Sequence, residues 1–329
     1  MSSLRRRANG YYFLDLRIQG KRVRKALKTK DRKLASARAK LAMRDIRGPE
    51  TSGSITLADF RAEFEEYSRT RYAASSVKAH RYVFNKLAAN LPCTRLGDIT
   101  PRIADEFITR ISPKLKPAAI NFHIRTIKSI FAIAVKWEYL DENPFRKVQQ
   151  LRYEKPMPRI LSFKEISSLL FEARKASPDL AALFEFYLLT GTRRSEALAL
   201  EWTDIDFTKD IAILRNTKGK RPRIVYLSPR VKAILQARRK GLKPFPFLGN
   251  YVTHQFKKIA EEAEITGVTL HDLRKSFVSY AADVGMSPLL IPWLVGHVDS
   301  SVTSAHYAGF NDEMIRKYYL LLESRIFQN

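Results

Sequence analysis

The chain has 329 residues, with 59 Lys and Arg against 33 Asp and Glu for a formal charge of +26, and its composition of 45% hydrophobic and 28% charged residues fits globular domains, more than one at this length, rather than disorder. The lone Cys93 excludes an intramolecular disulfide and a cysteine-based zinc cluster; Arg5-Arg6-Arg7 lacks the apolar stretch of a signal peptide after it; and runs such as 289–295 are far shorter than the ~20 residues a bilayer crossing needs, so a soluble protein of a reducing compartment is expected, with no membrane partner. So large a positive excess on a folded chain points to a polyanion, foremost nucleic acid.

Residues 1–50 hold sixteen Lys and Arg and four acids, a net +12. Residues 11–18 alternate and are aromatic and β-branched, which predicts a strand; Gln19-Gly20 reads as a turn, and 21–27 as a second strand carrying Lys21, Arg22, Arg24 and Lys25. Asp31 is placed to cap a helix to about residue 46, with Leu34, Ala37, Leu41 and Ala42 on its apolar face; Gly48-Pro49 ends it, and 51–54 is a linker. Residues 55–145 read as helical. Thr56 and Asp59 have capping-box spacing ahead of Phe60, Phe64 and Tyr67. A second helix fits 76–91 with Val77, Tyr82, Val83, Leu87 and Ala88 inward, Thr100-Pro101 opens a third, and a fourth runs 118–139 until Asp141-Glu142-Asn143-Pro144 stops it. Residues 146–160, with Arg152, Lys155 and two prolines, read as an extended basic linker. The remainder, 161–329, is mixed but mostly helical. It starts with a capping box at Ser162 and Glu165 and a helix over 180–189. A hairpin with arms 211–214 and 223–227 precedes helices near 229–241, 251–263 and 272–284.

Chemistry gathers in this last region. Gly191 in Thr190-Gly191-Thr192-Arg193-Arg194-Ser195-Glu196 allows a tight turn into a new helix; an arginine there can fork onto phosphate oxygens while a nearby glutamate holds its guanidinium, although taken alone such a pair is often just solvated. His271 and Arg274, three apart, project from one side of a helical turn and could pair a proton-transfer group with a phosphate clamp, although taken alone a capping histidine and a surface arginine is the commoner arrangement. Gly296-His297 follows an apolar run, and Tyr307 lies ten residues on. No G-x-x-x-x-G-K-[ST] loop and no acidic cluster of the two-metal nuclease kind is present.

In order, TGxRxxE, a hairpin with Lys218, HxxR, GH and a tyrosine, this series closely resembles the tyrosine recombinase (phage integrase) family over roughly residues 160–322. The helical module resembles that family's core-binding domain, and residues 1–50 resemble the small arm-type DNA-binding domain of phage-like integrases. The resemblance implies a mostly α fold with small β elements. The modules would be an arm-binding one (1–50), a helical core-binding domain (55–145), a linker (146–160) and a mixed α/β catalytic domain (161–329). It also implies roles. Arg193 binds the scissile phosphate with Glu196 bracing it, Lys218 (or Lys220 on the same turn) protonates the departing 5′ oxygen, and His271 and Arg274 complete the phosphate site. His297 hydrogen-bonds the phosphate or supports the nucleophile, and Tyr307 attacks phosphorus. The family step from GH histidine to tyrosine is nine; here it is ten, which one inserted residue in 298–304 absorbs, while Tyr318 and Tyr319 belong to a C-terminal helix. The expected protein is a site-specific DNA recombinase, the integrase of a phage or mobile element, needing no metal, ATP or other cofactor. It would act on double-stranded attachment or core sites in the cytoplasm, as a homotetramer on DNA, with DNA-bending proteins as possible accessories. A type IB topoisomerase, a non-catalytic DNA-binding protein of the same fold and an RNA-binding scaffold are the alternatives.

Overall fold

The computed structural model describes residues 3–18, 21–32, 34–35, 38–39, 55–91, 95–154, 156–215, 222–296 and 311–327. The chain divides into two compact units, Met1–Lys155 and Pro156–Asn329.

The first unit opens on an antiparallel sheet in the order β1 (Ser3–Arg6), β2 (Tyr12–Ile18), β3 (Lys21–Ala26). β1 was not foreseen: its sequence, Ser-Leu-Arg-Arg, has no apolar alternation to read, and pairing with β2 makes it a strand. Leu14 and Leu27 pack with Ala35 and Ala39 in a small core. Asp31 does cap the helical residues that follow, accepting the Leu34 N–H at 2.7 Å, but Leu34 itself is exposed, and Ala35 and Ala39 form the inward face.

Four helices then build a second core: α1 (Leu57–Arg71), α2 (Ala74–Asn90), α3 (Pro101–Ile111) and α4 (Pro117–Lys136). The side chains of Thr56 and Thr100 accept the N–H groups of Asp59 and Ile103, and Pro101 and Pro117 occupy first-turn positions. Phe60 and Phe64 of α1 meet Phe84 of α2 and Phe131 of α4 at ring separations of 5.4–6.4 Å. Three expectations are corrected here. Tyr82 and Ala88 face outward, and His80, Val83, Phe84 and Leu87 form the buried stripe of α2. α4 ends at Lys136, ahead of the expected 139, because Glu138 enters the left-handed region at φ +63°. Residues 146–151 are not free linker: Val148 is buried, and the Asn121 side chain bonds both backbone groups of Leu151, at 2.7 and 2.9 Å. α4 has the length and apolarity of a membrane crossing, but Ile120, Ile124, Ile127, Ile130 and Phe131 fill the bundle core.

The second unit runs α5 (Phe163–Ala176), α6 (Pro178–Thr190), α7 (Arg194–Leu198), a sheet β4 (Ile205–Asp206), β5 (Ile211–Leu214), β6 (Arg223–Tyr226), then α8 (Pro229–Ala237), α9 (Gly249–Glu262), α10 (Leu270–Asp283), α11 (Leu290–Val295) and α12 (Asp312–Phe327). Ser162 and Glu165 form the expected capping box. α6 is apolar on nearly all sides because neighbours surround it: α5, α8, α10 and α12 all pack on it. β5 and β6 pair as the hairpin, Leu214 opposite Arg223, with β4 added along the other edge of β5. Ile315, Tyr319, Leu322 and Ile326 of α12 are buried in the same core.

Candidate active site

The site begins where α6 ends. Gly191 closes that helix at φ +59°, and a Cβ on it would lie 2.4 Å from the Phe277 ring, so only glycine fits. The turn delivers Arg193 to the start of α7, where Glu196 accepts its backbone N–H at 2.8 Å and its Nη1 at 2.7 Å. Glu196 has no exposed side-chain surface, and its Oε2 also takes Nη2 of Arg223, at 2.7 Å. Burial alone would raise the Glu196 pKa, but Arg223 and Arg193 outweigh it and hold the carboxyl below its ordinary value. Arg274, one turn into α10, is buried and donates to the carbonyls of Gly191 and Val295. Burial, then the charges of Arg193 and Arg223, push its pKa down to about 10, so it stays ionised at neutral pH.

The three arginines converge on the C-terminal end of α11. Arg223 donates to the carbonyl of Leu294, Arg274 to that of Val295 and Arg193 to that of Gly296, the last at 2.8 Å. These are the orphan carbonyls of a helix end, where the macrodipole favours cations. Gly296 takes φ +68°; a Cβ there would come within 3.2 Å of Arg223 and 3.3 Å of Arg193. Arg193 and Arg223 thus share one carboxylate, Glu196, while Arg274 beside them is held by two backbone carbonyls, so among the described residues the ion pairs of this cluster set two guanidiniums against one carboxylate. Next to them is a cavity of about 380 Å³, lined by Thr192, Arg194, Ser195, Thr269, His271 and Arg274. His271 begins α10 with its side chain exposed, and Thr269 ahead of it is locked by the Asp272 carboxylate at 2.7 Å. Desolvation, then the charges of Arg274 and Lys275, lower the His271 pKa from its ordinary 6.5. A neutral imidazole beside surplus guanidinium charge can take a proton while the arginines hold an anion such as a phosphodiester.

Of the sequence-derived residues, Arg193, Glu196, His271 and Arg274 are brought into this one neighbourhood. Lys218, Lys220, His297 and Tyr307 lie outside the described residues, as does Lys155; in sequence, Lys218 falls between β5 and β6, and His297 directly follows Gly296. The sequence reading missed Arg223; an arginine opening a short apolar strand is the faint signal it leaves. In the N-terminal sheet, Arg22 forks onto Asp15 at 2.6 and 2.9 Å, with Arg24 and Arg5 at 3.7 and 3.6 Å, whereas Lys25 stands opposite Leu14 on the core side. The Arg22 hydrogen bond holds the Asp15 pKa down at about 2. Arg152 is exposed.

A model of the phage integrase family matches residues 159–314, and one of the phage integrase SAM-like domain matches residues 56–151. Tyrosine recombinase XerC of Pediococcus pentosaceus is 30% identical over 231 residues, 62% of this chain and 75% of that protein. Tyrosine recombinase XerD of Rickettsia conorii is 27% identical over 275 residues, 73% and 89% respectively. Among solved structures, a lambda integrase tetramer bound to a Holliday junction has a TM-score of 0.67 at 17% identity, covering 91% of this chain and 96% of that one. The Tn1549 transposon integrase in complex with circular intermediate DNA has a TM-score of 0.58 at 22% identity, covering 80% and 98%. With three-quarters of a 30%-identical XerC covered, and both helical regions matched by integrase models, the chain belongs to the phage integrase family and is a site-specific tyrosine recombinase.

Proposed function

We propose that this recombinase is the integrase of a phage or other mobile element and works through a 3′-phosphotyrosine intermediate. The observation that carries the chemistry is the convergence of Arg193, Arg223 and Arg274 on the end of α11, two of them paired with buried Glu196, beside a cavity that His271 and Arg274 line. A phosphodiester would bring a second anion to guanidiniums that, among the described residues, pair with Glu196. In this reading Arg193 and Arg274 bind the non-bridging oxygens, which gather charge as the tyrosyl oxygen approaches. Tyr307 Oη attacks phosphorus, the P–O5′ bond breaks, and its electron pair leaves on the 5′ oxygen. Lys218 supplies that oxygen with a proton, and His271, held neutral, receives the tyrosyl proton; His297 supports the phosphate or the nucleophile. The phosphotyrosine keeps the bond energy, so a 5′ hydroxyl of a second strand reverses the attack and joins the new partner. The lambda integrase tetramer on a Holliday junction is the assembly this exchange would use.

The integrase reading rests on the N-terminal sheet, whose Arg5, Arg22 and Arg24 share one side around Asp15. A Xer-like chromosomal recombinase is the second reading, favoured by the XerC and XerD relatives. Footprinting on DNA flanking the gene separates them, since an integrase protects distal arm sites besides the core site. For the chemistry, a nicked suicide duplex should trap a covalent adduct with the wild-type protein and none with Tyr307→Phe, which should still bind. Lys218→Ala should be slow on ordinary DNA and recover on a 5′-bridging phosphorothiolate, whose better leaving group needs no proton. Adduct formation by Tyr307→Phe, or an unrescued Lys218→Ala, would remove those residues from their roles.

A further inference from the structure

Arg223 opens β6, five positions after Lys218, with 9% of its side chain exposed. Unlike His271 and Arg274, it does not line the cavity beside the cluster. Its fork instead spans two chain segments far apart in sequence: Nη2 reaches Glu196, 27 residues upstream, and Nη1 the carbonyl of Leu294, 71 residues downstream. Glu196 in turn fixes both the backbone and the guanidinium of Arg193. Leu294 lies in the last turn of α11, three residues before His297 and in the segment that leads on to Tyr307. A lysine offers a single point-like ammonium in place of the planar fork whose two Nη groups reach the two partners separately. A solely structural charge pair would not need this fork, and burial of an ion pair is weak evidence for stability in itself.

We infer that Arg223 is a positioning residue: it sets the pose of Arg193 through Glu196 and holds the last turn of α11 through the Leu294 carbonyl, while itself touching no substrate. This rests on the site assignment above. Misplacing a reacting group by about 1 Å from a remote change can cost about 100-fold in rate.

The test uses the full-length protein and a nicked core-site duplex, with DNA affinity and single-turnover adduct formation measured separately. Arg223→Gln should bind DNA with nearly the wild-type Kd and form adduct about 10- to 100-fold more slowly. Arg223→Lys should recover part of the rate, since it keeps the charge and one of the two contacts. A duplex with a methylphosphonate at the scissile position lacks one anionic oxygen and leans less on Arg193, so on it the deficit of Arg223→Gln relative to wild type should shrink. Should Arg223→Gln unfold, as its circular dichroism would show, Arg223→Lys and the paired Glu196→Gln/Arg223→Gln variant, which strands no carboxylate, carry the same comparison. The paired variant should fall below Glu196→Gln alone by less than Arg223→Gln falls below wild type, because the route through Glu196 to Arg193 is already lost and only the Leu294 contact goes with it. Wild-type adduct rates in the Arg223 variants, equal deficits on phosphate and methylphosphonate, or affinity falling in step with rate would each overturn the inference. Absence of adduct with the wild-type protein would instead overturn the site assignment on which it rests.

Discussion

Removing the carboxylate of Glu196 leaves Arg193 and Arg223 beside each other with Arg274 close by and no anion between them. Breaking a buried pair by deleting one partner typically costs about 3–5 kcal/mol, so Glu196→Gln should lower the urea midpoint by a corresponding amount with an unchanged slope. A loss below about 1 kcal/mol, the scale of surface pairs, would mean that the carboxylate does not hold the cluster together. His271 gives a second measurement at this scale. Desolvation and the Arg274 charge both disfavour its protonated form, so an NMR titration of the free protein should place its pKa below the ordinary 6.5, with the ring neutral at pH 7. Titration above 6.5 would remove its case as the acceptor of the tyrosyl proton. That Arg193, Glu196, His271 and Arg274 lie near one another was legible through the order of their motifs, which resembles the family's, since each motif alone also had a bland local reading. Arg223 was not, since both of its partners are tertiary: nothing within ten residues of it states that Glu196 and Leu294 will be there.

Gly191 is where one element boundary decides the site. Alanine there must adopt φ +59° and push a methyl into Phe277, and its carbonyl is one of the two that hold Arg274. Left-handed backbone costs a non-glycine residue about 1–2 kcal/mol and overpacking adds about 1–3, so Gly191→Ala should destabilise by about 2–5 kcal/mol. Gly267 is the internal control: its φ is +66° but nothing lies within 4 Å of a Cβ, so Gly267→Ala should show the backbone cost alone. Equal losses at the two positions, measured by urea unfolding, would exclude the Phe277 clash. Helices with a cap and a 3.6-residue stripe, such as α1, α3 and α5, were readable, as was the β5–β6 hairpin. Elements whose state is decided elsewhere were not. β1 depends on β2 for its pairing, and Tyr82 and Leu34 carry apolar bulk on faces that the tertiary packing leaves outside. The end of α4 is set by a left-handed glutamate that no propensity scale marks.

Across the whole molecule the charge is unevenly placed: residues 1–50 carry +12 of the total +26, while every proposed catalytic residue lies after position 190. The sheet in this segment and the four-helix module have separate apolar cores, so the contributions of the two can be removed independently. Not all of the +12 is available to DNA, since Asp15, held ionised with its pKa near 2, engages Arg22 and lies within 4 Å of Arg5 and Arg24. Each phosphate neutralised on duplex DNA steepens the dependence of log affinity on log salt by about 0.9. Deleting residues 1–50 should therefore flatten that slope by a measurable number of such steps on attachment-site DNA, and should abolish protection of distal arm sites. Cleavage of a core-site suicide duplex should persist, because Arg193, Glu196, Arg223, His271 and Arg274 all belong to the second unit. Footprints of the full-length and truncated proteins that cover the same sequences and differ only in affinity would show that the segment adds nonspecific attraction and reads no site of its own. That result would remove the main physical ground for preferring an integrase over a Xer-like recombinase, leaving the tyrosine chemistry untouched.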